Sequence, residues 1–261
     1  MENDKKPVIV ERTSEHVVVV YLNRPNARNA VNGDVAASIE EIVDATEADP
    51  SVRAVILTST YEAVFSAGAD LKEIAAGRRA SLRTERGGFA GFVYAQRSKP
   101  WIAAVEGKAL AGGFELVLAC DLVVASEAAE FGLPEVKRGL IAGAGGIHRL
   151  CRKLPYAKAL EVILTGVPMN ARTAQEAGLL NAVVPPGKTL EAARKLADLV
   201  AENAPLCVRD SLRIAKASYD RSEYELRTLA AECLSQIALS NDYQEGPRAF
   251  IEKRAPQWTG T

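Results

Sequence analysis

The chain is poor in the residues that build metal and redox sites. It contains only two histidines, His16 and His148, and its four cysteines are far apart with no Cys-x-x-Cys pair. Zinc ribbons and dithiol redox sites need such pairs, and a Ser-His-Asp triad would have to use one of the two histidines. We therefore predict no metal site, and we interpret the cysteines as reduced thiols of a cytoplasmic protein.

Long apolar runs and a strong net charge are also missing. No stretch approaches the roughly 18 apolar residues that a membrane-spanning helix needs, and residues 1–7 lack the pattern of a signal peptide. The formal net charge is −1, whereas a general nucleic-acid binder usually has a strong basic balance. We expect neither a membrane nor a nucleic acid as partner.

What the 261 residues do contain is an alternation of β-branched runs and helical patterns. Asp34 is placed to cap a helix that Asp49-Pro50 ends. Strands and helices that alternate in this way predict an α/β core with parallel strands. The predicted strands cover residues 17–22, 54–57, 101–105, 122–125 and 182–184, and the later helices cover about 113–119, 145–153, 156–164, 172–178 and 189–203.

The strand signal stops at residue 205. Residues 205–255 carry two helical patterns, and an apolar stripe must be buried against the chain's own core or a neighbouring subunit. We therefore predict a core domain, residues 1–204, and a helical C-terminal oligomerisation region, residues 205–261. The stripe consists of Leu226, Leu229, Ala230, Cys233, Leu234 and Ile237.

Three glycine-rich segments each precede a predicted helix, namely residues 65–72, 109–116 and 139–146. Glycine allows a ligand to approach the backbone closely, and helix N-termini present free N–H groups. Two such turns directed at one point would donate two N–H groups to a single oxygen, as in an oxyanion hole. The alternative is that all three are simply tight strand-to-helix turns. No Walker loop or complete dinucleotide fingerprint is present.

Two glutamates have apolar neighbours in the sequence. Glu115 follows Phe114 in an almost wholly apolar helix, and Glu135 follows Pro134. Burial disfavours the charged form of a carboxylate and raises its pKa toward the range that suits proton transfer. The alternative is that each glutamate forms a structural ion pair, with Arg138 or Arg149 as partner.

Taken in order, these motifs resemble the crotonase, or enoyl-CoA hydratase/isomerase, family along nearly the whole chain. The resemblance implies a ββα spiral core with a helical C-terminal region, assembled as trimers or dimers of trimers. The residues that carry it are LNRP at 22–25, FSAGADLK at 65–72, AGGFEL at 111–116, ACDL at 119–122, FGLPE at 131–135, GAGG-x-x-RL at 143–150 and EG-x-x-AF-x-EKR at 245–254.

The resemblance also implies a reaction, the reversible hydration of the double bond of a 2-enoyl-CoA thioester. The N–H groups of Ala67 and Gly112 would bind the thioester oxygen. Glu115 would act as base on water and Glu135 as acid at the α-carbon. No cofactor is expected, because coenzyme A is part of the substrate. Further substrate-binding positions implied by the resemblance are Ala27, Arg28, Gly68, Ala69, Asp70 and Gly143, with Phe250 and Lys253 reaching a neighbour's coenzyme A.

Several positions depart from the family pattern and leave the acyl group open. Ala111 replaces a common glycine before the oxyanion donor, and Phe114 replaces a smaller residue. Residues 87–91 and 113–115 resemble the carnitinyl-CoA dehydratase branch of the family, so that activity and enoyl-CoA isomerisation are the alternatives. The basic run after the first glycine turn is interpreted as a solvated face, a coenzyme A phosphate contact or an RNA contact; its members are Lys72, Arg78, Arg79, Arg83 and Arg86.

Overall fold

The computed structural model describes residues 6–261. Within that range the strands are β1 (Val8–Arg12), β2 (Val17–Leu22), β3 (Ala54–Ser59), β4 (Val64–Ser66), β5 (Arg83–Thr84), β6 (Gly88–Phe89), β7 (Trp101–Val105), β8 (Lys108–Leu110), β9 (Leu122–Ser126), β10 (Glu130–Gly132), β11 (Met169–Asn170) and β12 (Ala182–Val184). The α-helices are α1 (Gly33–Ala48), α2 (Leu71–Ala75), α3 (Gly112–Ala119), α4 (Gly146–Lys153), α5 (Tyr156–Thr165), α6 (Ala171–Glu176), α7 (Thr189–Ala201), α8 (Pro205–Ala217), α9 (Glu223–Ile237) and α10 (Asn241–Glu252). Short 3-10 helices lie at Pro25–Ala27, Arg79–Leu82 and Pro134–Arg138.

A six-stranded sheet in the order β1-β2-β3-β7-β9-β12 forms the centre of the molecule. Only the edge pair β1 and β2 is antiparallel, and the other neighbouring strands are parallel. Both faces are buried: Val17 and Val19 pack toward α7, while Val18 and Val20 join the main core on the opposite face. Burial on both faces explains why these strands appear in the sequence as continuous apolar runs.

A four-stranded sheet in the order β11-β10-β8-β4 is built from the strands that directly follow those of the large sheet. The chain passes from β3 to β4 to α2, then from β7 to β8 to α3, and then from β9 to β10 and the 3-10 helix Pro134–Arg138. Each unit therefore adds one strand to each sheet. This repetition confirms the predicted α/β fold and the ββα spiral that the family resemblance implies.

The C-terminal region contains three helices, so the prediction of two helical patterns is wrong. α8 begins at Pro205, where the domain boundary was placed, and the division into two domains stays a prediction. In the apolar stripe of α9, Leu229 and Cys233 are buried, whereas Leu234 is exposed. None of the helices within residues 6–261 combines the length and the apolar character needed to cross a membrane.

The N-cap predicted for α1 is also wrong. The side chain of Asn32 accepts the Val35 N–H and caps the helix, whereas Asp34 lies in the first helical turn. Both residue types are good caps, and a carboxylate in the first turn favours the positive end of the helix dipole. The sequence pattern alone therefore did not distinguish the cap from its neighbour.

Candidate active site

The first two glycine-rich turns lie against each other. One follows β4 and the other follows β8, and these strands are neighbours in the small sheet. Gly68 has a φ of +88°, and a Cβ atom added to it would lie 2.6 Å from the backbone nitrogen of Gly112. Only glycine meets both requirements, the left-handed φ and the close approach. Parallel pairing of the two short strands thus brings the two turns to one point.

The hydrogen bonds of these turns identify which N–H groups are free. The Ala67 N–H donates to the Arg28 carbonyl at 3.0 Å, and the Gly68 N–H donates to the Ser66 hydroxyl at 3.1 Å. The Ala69 and Gly112 N–H groups have no acceptor among the described residues. The free donor of the first turn is therefore Ala69, two residues after the Ala67 implied by the resemblance.

Ala111 enters α3 in a strained backbone conformation. Its φ of 52° and ψ of −129° fall where glycine is favoured and L-residues are rare. Its N–H donates to the Gly132 carbonyl at 2.9 Å, which fixes the turn to β10. The ring of Phe89 packs against Gly112, because a Cβ atom there would lie 2.6 Å from the ring. The strained residue, Ala111, therefore directly precedes the free N–H group of Gly112.

Glu115 lies in the first turn of α3 and is 4% exposed. Its Oε1 atom accepts the Ala144 N–H at 2.7 Å and the Gly146 N–H at 2.9 Å. Burial raises the pKa of Glu115, while these two hydrogen bonds and the charge of Arg149 oppose the rise. Hydrogen bonds from N–H groups stabilise the ionised form of a carboxyl group, so these two bonds favour a Glu115 carboxylate that can accept a proton.

Glu135 lies in the 3-10 helix Pro134–Arg138 and is half-buried. Its Oε2 atom is buried and has no hydrogen-bond partner in the described part of the chain. Burial, together with the negative charge of Glu115, raises the pKa of Glu135 to about 7, although its own backbone N–H and Arg138 oppose the rise. The neutral acid is therefore favoured here more than at Glu115.

The interpretation of these glutamates as structural ion pairs is wrong. Among residues 6–261, Glu115 is bound by backbone N–H groups and Glu135 Oε2 by no group at all, and neither glutamate forms an ion pair with Arg138 or Arg149. Arg149 instead donates to the backbone carbonyls of Ala144 and Val93. Glu115 and the Oε2 atom of Glu135 are buried and interact electrostatically, with no balancing cation in direct contact, which leaves them available for proton transfer.

The remaining predicted substrate-binding positions have different environments. Ala27 and Arg28 form the turn whose carbonyl holds Ala67, and Gly143 is exposed two residues before Gly145. Asp70 caps α2 through the Lys72 N–H at 3.1 Å and pairs with Arg24 at 3.0 Å, so its carboxylate is already engaged within the protein.

Phe250 and Lys253 lie at the end of α10. Phe250 is 86% exposed, and Lys253 is the left-handed C-cap of the helix. Both are therefore open to a neighbouring molecule, and their contact with a neighbour's coenzyme A stays a prediction.

The basic run after the first glycine turn is partly neutralised. Arg78 pairs with Glu73 at 2.7 Å, and Arg86 pairs with Asp44 at 2.7 Å. These exposed pairs favour a solvated face for that part of the run. In the described range, no three histidine, cysteine, aspartate or glutamate residues are grouped so that they could hold a metal ion.

Sequence reasoning missed the residues around the glutamates. Ala144 and Gly146 supply the N–H groups that bind Glu115, and Arg149, expected as an ion-pair partner, holds their turn instead. The third glycine-rich segment was the signal for this turn. Its partner could not be identified without the fold, because 29 residues separate Glu115 from Ala144.

Comparisons with known proteins show which proteins this chain resembles. A family model described as enoyl-CoA hydratase/isomerase matches residues 12–261. A carnitinyl-CoA dehydratase of Proteus mirabilis is 38% identical over 253 residues, which cover 95% of this chain and 97% of that protein. A crystal structure of an enoyl-CoA hydratase from Mycobacterium tuberculosis has a TM-score of 0.94 at 42% identity, covering 98% of this chain and 100% of that one. A carnitinyl-CoA hydratase from Mycobacterium avium has a TM-score of 0.78 at 45% identity, with the same coverage.

Proposed function

The chain belongs to the enoyl-CoA hydratase/isomerase family, and from this membership we propose that it is an enoyl-CoA hydratase. The reaction is the reversible addition of water across the double bond of a 2-enoyl-CoA thioester. The observation that carries the proposal is the combination of two buried carboxyl groups, Glu115 and Glu135, with two unused N–H groups, those of Ala69 and Gly112.

The two N–H groups form the oxyanion hole. When water attacks the β-carbon, negative charge develops on the thioester oxygen as the enolate forms. Ala69 and Gly112 donate to that oxygen from a backbone already held in place, so no reorganisation is needed as the charge develops. Loss of one such donor typically lowers kcat roughly 10²- to 10³-fold. We use Ala69 in place of Ala67, because the Ala67 N–H is bound to the Arg28 carbonyl.

The partners of the two glutamates assign their roles in the hydration direction. Glu115 accepts two N–H groups, which favour its ionised form, so it takes the proton from the attacking water. Glu135 has an unpartnered buried oxygen and a pKa raised to about 7, so it delivers its proton to the α-carbon as the enolate collapses. The hydroxyl group then lies on the β-carbon, and proton exchange with solvent restores both glutamates.

A second candidate is the carnitinyl-CoA type of hydration, in which crotonobetainyl-CoA is the substrate. The observation that favours it is the identity with the Proteus and Mycobacterium avium relatives. The same two glutamates and the same oxyanion hole would serve both acyl groups. The candidates therefore differ in the acyl pocket and not in the chemistry.

We further propose that the chain forms a homo-oligomer, either a trimer or a dimer of trimers, and acts in the cytoplasm without a nucleic-acid or membrane partner. Support for the oligomer comes from three large apolar side chains near α10, Leu239, Phe250 and Ile251, which are 82%, 86% and 78% exposed in the single chain. Large apolar side chains left exposed in the single chain are typical of protein–protein contact sites.

The test of the proposal is an activity panel in chelator-treated buffer. The purified protein is assayed with crotonyl-CoA, longer 2-enoyl-CoAs and crotonobetainyl-CoA by the loss of the conjugated thioester absorbance. We expect turnover of at least one simple 2-enoyl-CoA. Turnover of crotonobetainyl-CoA alone would select the second candidate, and no turnover of any substrate in the panel would contradict the hydratase proposal.

A further inference from the structure

Arg149 lies behind the turn that binds Glu115. From the first turn of α4, its Nη1 atom donates to the Ala144 carbonyl at 3.0 Å, and its Nη2 atom donates to the Val93 carbonyl. The guanidinium carbon also lies 5.2 Å from the centre of the Tyr94 ring. One side chain thus connects the turn before α4 with the segment before β7, although 56 residues separate Arg149 from Val93.

The turn at residues 144–146 depends on this side chain. Its Ala144 and Gly146 N–H groups both point to Glu115, and the Ala144 carbonyl points the other way, to Arg149. Gly145 has a φ of +102°, and a Cβ atom there would overlap the Arg149 guanidinium. The guanidinium therefore fills the space beneath the peptide groups that bind Glu115, and a residue with a side chain at position 145 would displace it.

We propose that Arg149 is a positioning residue for Glu115, because it clamps the Ala144 carbonyl to the Val93 segment and so fixes the two N–H groups that orient the carboxylate. The inference rests on the proposed function and deepens it. Arg149 acts through the turn and does not touch the substrate. A planar guanidinium suits the task because it donates in two fixed directions, whereas an ammonium group cannot reproduce that geometry.

The charge of Arg149 acts in the same direction as its hydrogen bonds. It opposes the rise in the pKa of Glu115 that burial causes. Glu135 is the other charged group that interacts electrostatically with Glu115, and Arg149 interacts in the same way with Tyr94, Arg97 and Arg152. Removal of Arg149 therefore raises the pKa of Glu115 further. Since the base must be ionised, activity is then lost at a higher pH as the solution is acidified.

Arg97 provides a matched control within the same chain. It also donates to two backbone carbonyls, those of Phe92 and Ala119, each at 2.6 Å, and its guanidinium carbon lies 3.9 Å from the centre of the Phe92 ring. It makes no hydrogen bond to the turn that holds Glu115. Loss of Arg97 therefore removes a comparable structural clamp on the same segment and on the end of α3, while the Arg149 charge and the two N–H groups that bind Glu115 are kept.

The first experiment compares the variants Arg149→Met and Arg97→Met in the folded full-length protein, with crotonyl-CoA as substrate. We expect Arg149→Met to lower kcat roughly 10- to 100-fold, the usual effect of a small misplacement of a catalytic group. Its KM should stay within about threefold of the original, because the oxyanion donors are unchanged. The acidic limb of its kcat–pH profile should move to higher pH, and that of Arg97→Met should not.

Arg149→Lys and Arg97→Lys cover the case in which a methionine variant does not fold. Lysine keeps the charge and one donor direction, so Arg149→Lys should show a smaller shift of the acidic limb in the same direction, and Arg97→Lys should show none. The proposal is overturned if the acidic limb of the Arg149 variants coincides with that of the original protein, or if the Arg97 variants shift it equally.

A second readout does not depend on turnover. Isotope-edited infrared titration follows the protonated carboxyl band of Glu115, identified by its absence in Glu115→Gln. In Arg149→Met the band should persist to higher pH than in the original protein and in Arg97→Met. If the original protein hydrates no enoyl-CoA, the proposed function fails while this titration still decides the role of Arg149. If the protein is active but the band does not move, the positioning role fails and the function stands.

Discussion

At the scale of single residues, two carboxyl groups of similar chemistry differ in what their oxygens contact. Glu115 accepts two backbone N–H groups, whereas the Oε2 atom of Glu135 is buried without a partner in the described range. A hydrogen-bonded carboxylate is stabilised in its charged form, and an unpartnered buried one in its neutral form. Environments that move the pKa values of two carboxyl groups apart in this way indicate which group is the base and which is the acid.

The first prediction concerns the stability cost of Glu135. Its folded-state pKa is raised from 4.5 to about 7, so the folded state binds its proton more tightly than the unfolded state. Stability is therefore unaffected below the unfolded pKa and decreases as pH rises toward 7. Glu135→Gln removes this charge and should increase the free energy of unfolding by about 2 to 3 kcal/mol near pH 8, and by less than about 1 kcal/mol near pH 5.

Urea unfolding of both proteins at the two pH values measures this difference. Glu115→Gln is the comparison, because it replaces a charged acceptor of two N–H groups by a neutral one and should therefore stabilise the protein less than Glu135→Gln. An unfolding free energy of Glu135→Gln that exceeds the original by the same amount at both pH values would show that the gain does not come from the buried charge.

The second prediction concerns the backbone strain at Ala111. Because its φ is 52°, Ala111→Gly should relieve the strain and stabilise the protein by about 1 kcal/mol, after the entropy cost of glycine is subtracted. Ala109→Gly in the same segment is the control. That alanine is buried in β8 without a positive φ, so the change should destabilise. Thermal unfolding compares the two variants, and a loss of stability in both would contradict the assignment of strain.

The sequence alone singles out Glu115, Glu135 and Gly112, because each lies in a local motif whose residues are consecutive, and their roles stay a prediction. It does not indicate which N–H group of the first glycine-rich turn is free. Whether Ala67 or Ala69 has a free N–H depends on the Arg28 carbonyl, which accepts from Ala67. That contact is made by a distant segment, so it follows from the fold and not from the motif.

At the scale of elements, the short strands β4, β8 and β10 position the site. They have three residues each, and the sequence pattern did not predict them, because two or three residues cannot show a period. The strands β2, β3, β7 and β9 of the large sheet were predicted to within two residues, since burial on both faces makes them largely apolar. The edge strand β1 was not predicted, because most of its residues are exposed. The sequence pattern that predicts strands was thus clearest in the core and weakest in the short strands that lead to the site.

The third prediction concerns the C-terminal segment, which fastens α10 to the core. Asp242, 3% exposed, accepts the Thr259 and Gly260 N–H groups at 2.7 and 3.0 Å, and Arg53 donates to the Trp258 carbonyl at 3.0 Å. Deletion of residues 257–261 leaves the buried Asp242 carboxylate without these donors. We expect the stability of α10 to fall by at least about 2 kcal/mol.

Amide hydrogen exchange in α10 measures this change directly. Trp258→Phe is the control, because it removes only the indole hydrogen bond to the Glu202 carbonyl and should cost about 1 kcal/mol. Exchange rates in α10 that are the same in the shortened and the full chain would show that Asp242 does not anchor the helix.

At the scale of the whole molecule, the spiral core leaves apolar side chains of the C-terminal region uncovered. The fourth prediction is that Leu239→Glu shifts the protein toward a smaller species. Burial of the leucine side chain in an oligomer contact would stabilise that contact by about 2 kcal/mol, and the variant loses this contribution. Gln236→Glu, a neighbouring exposed position at the end of α9, should leave the assembly unchanged. Light scattering measures the mass, and a stable monomer for the original protein at micromolar concentration would contradict the proposed assembly.

The most direct test of the central claim is the rate of crotonyl-CoA hydration by the original protein, Glu115→Gln and Glu135→Gln. Each variant should remain folded, keep a similar KM and lose roughly 10²- to 10⁴-fold in kcat, the usual contribution of a positioned acid or base. The double variant should lose less kcat than the product of the two single losses, because both groups act on one transition state. A folded variant of either glutamate with near-normal kcat would contradict the account.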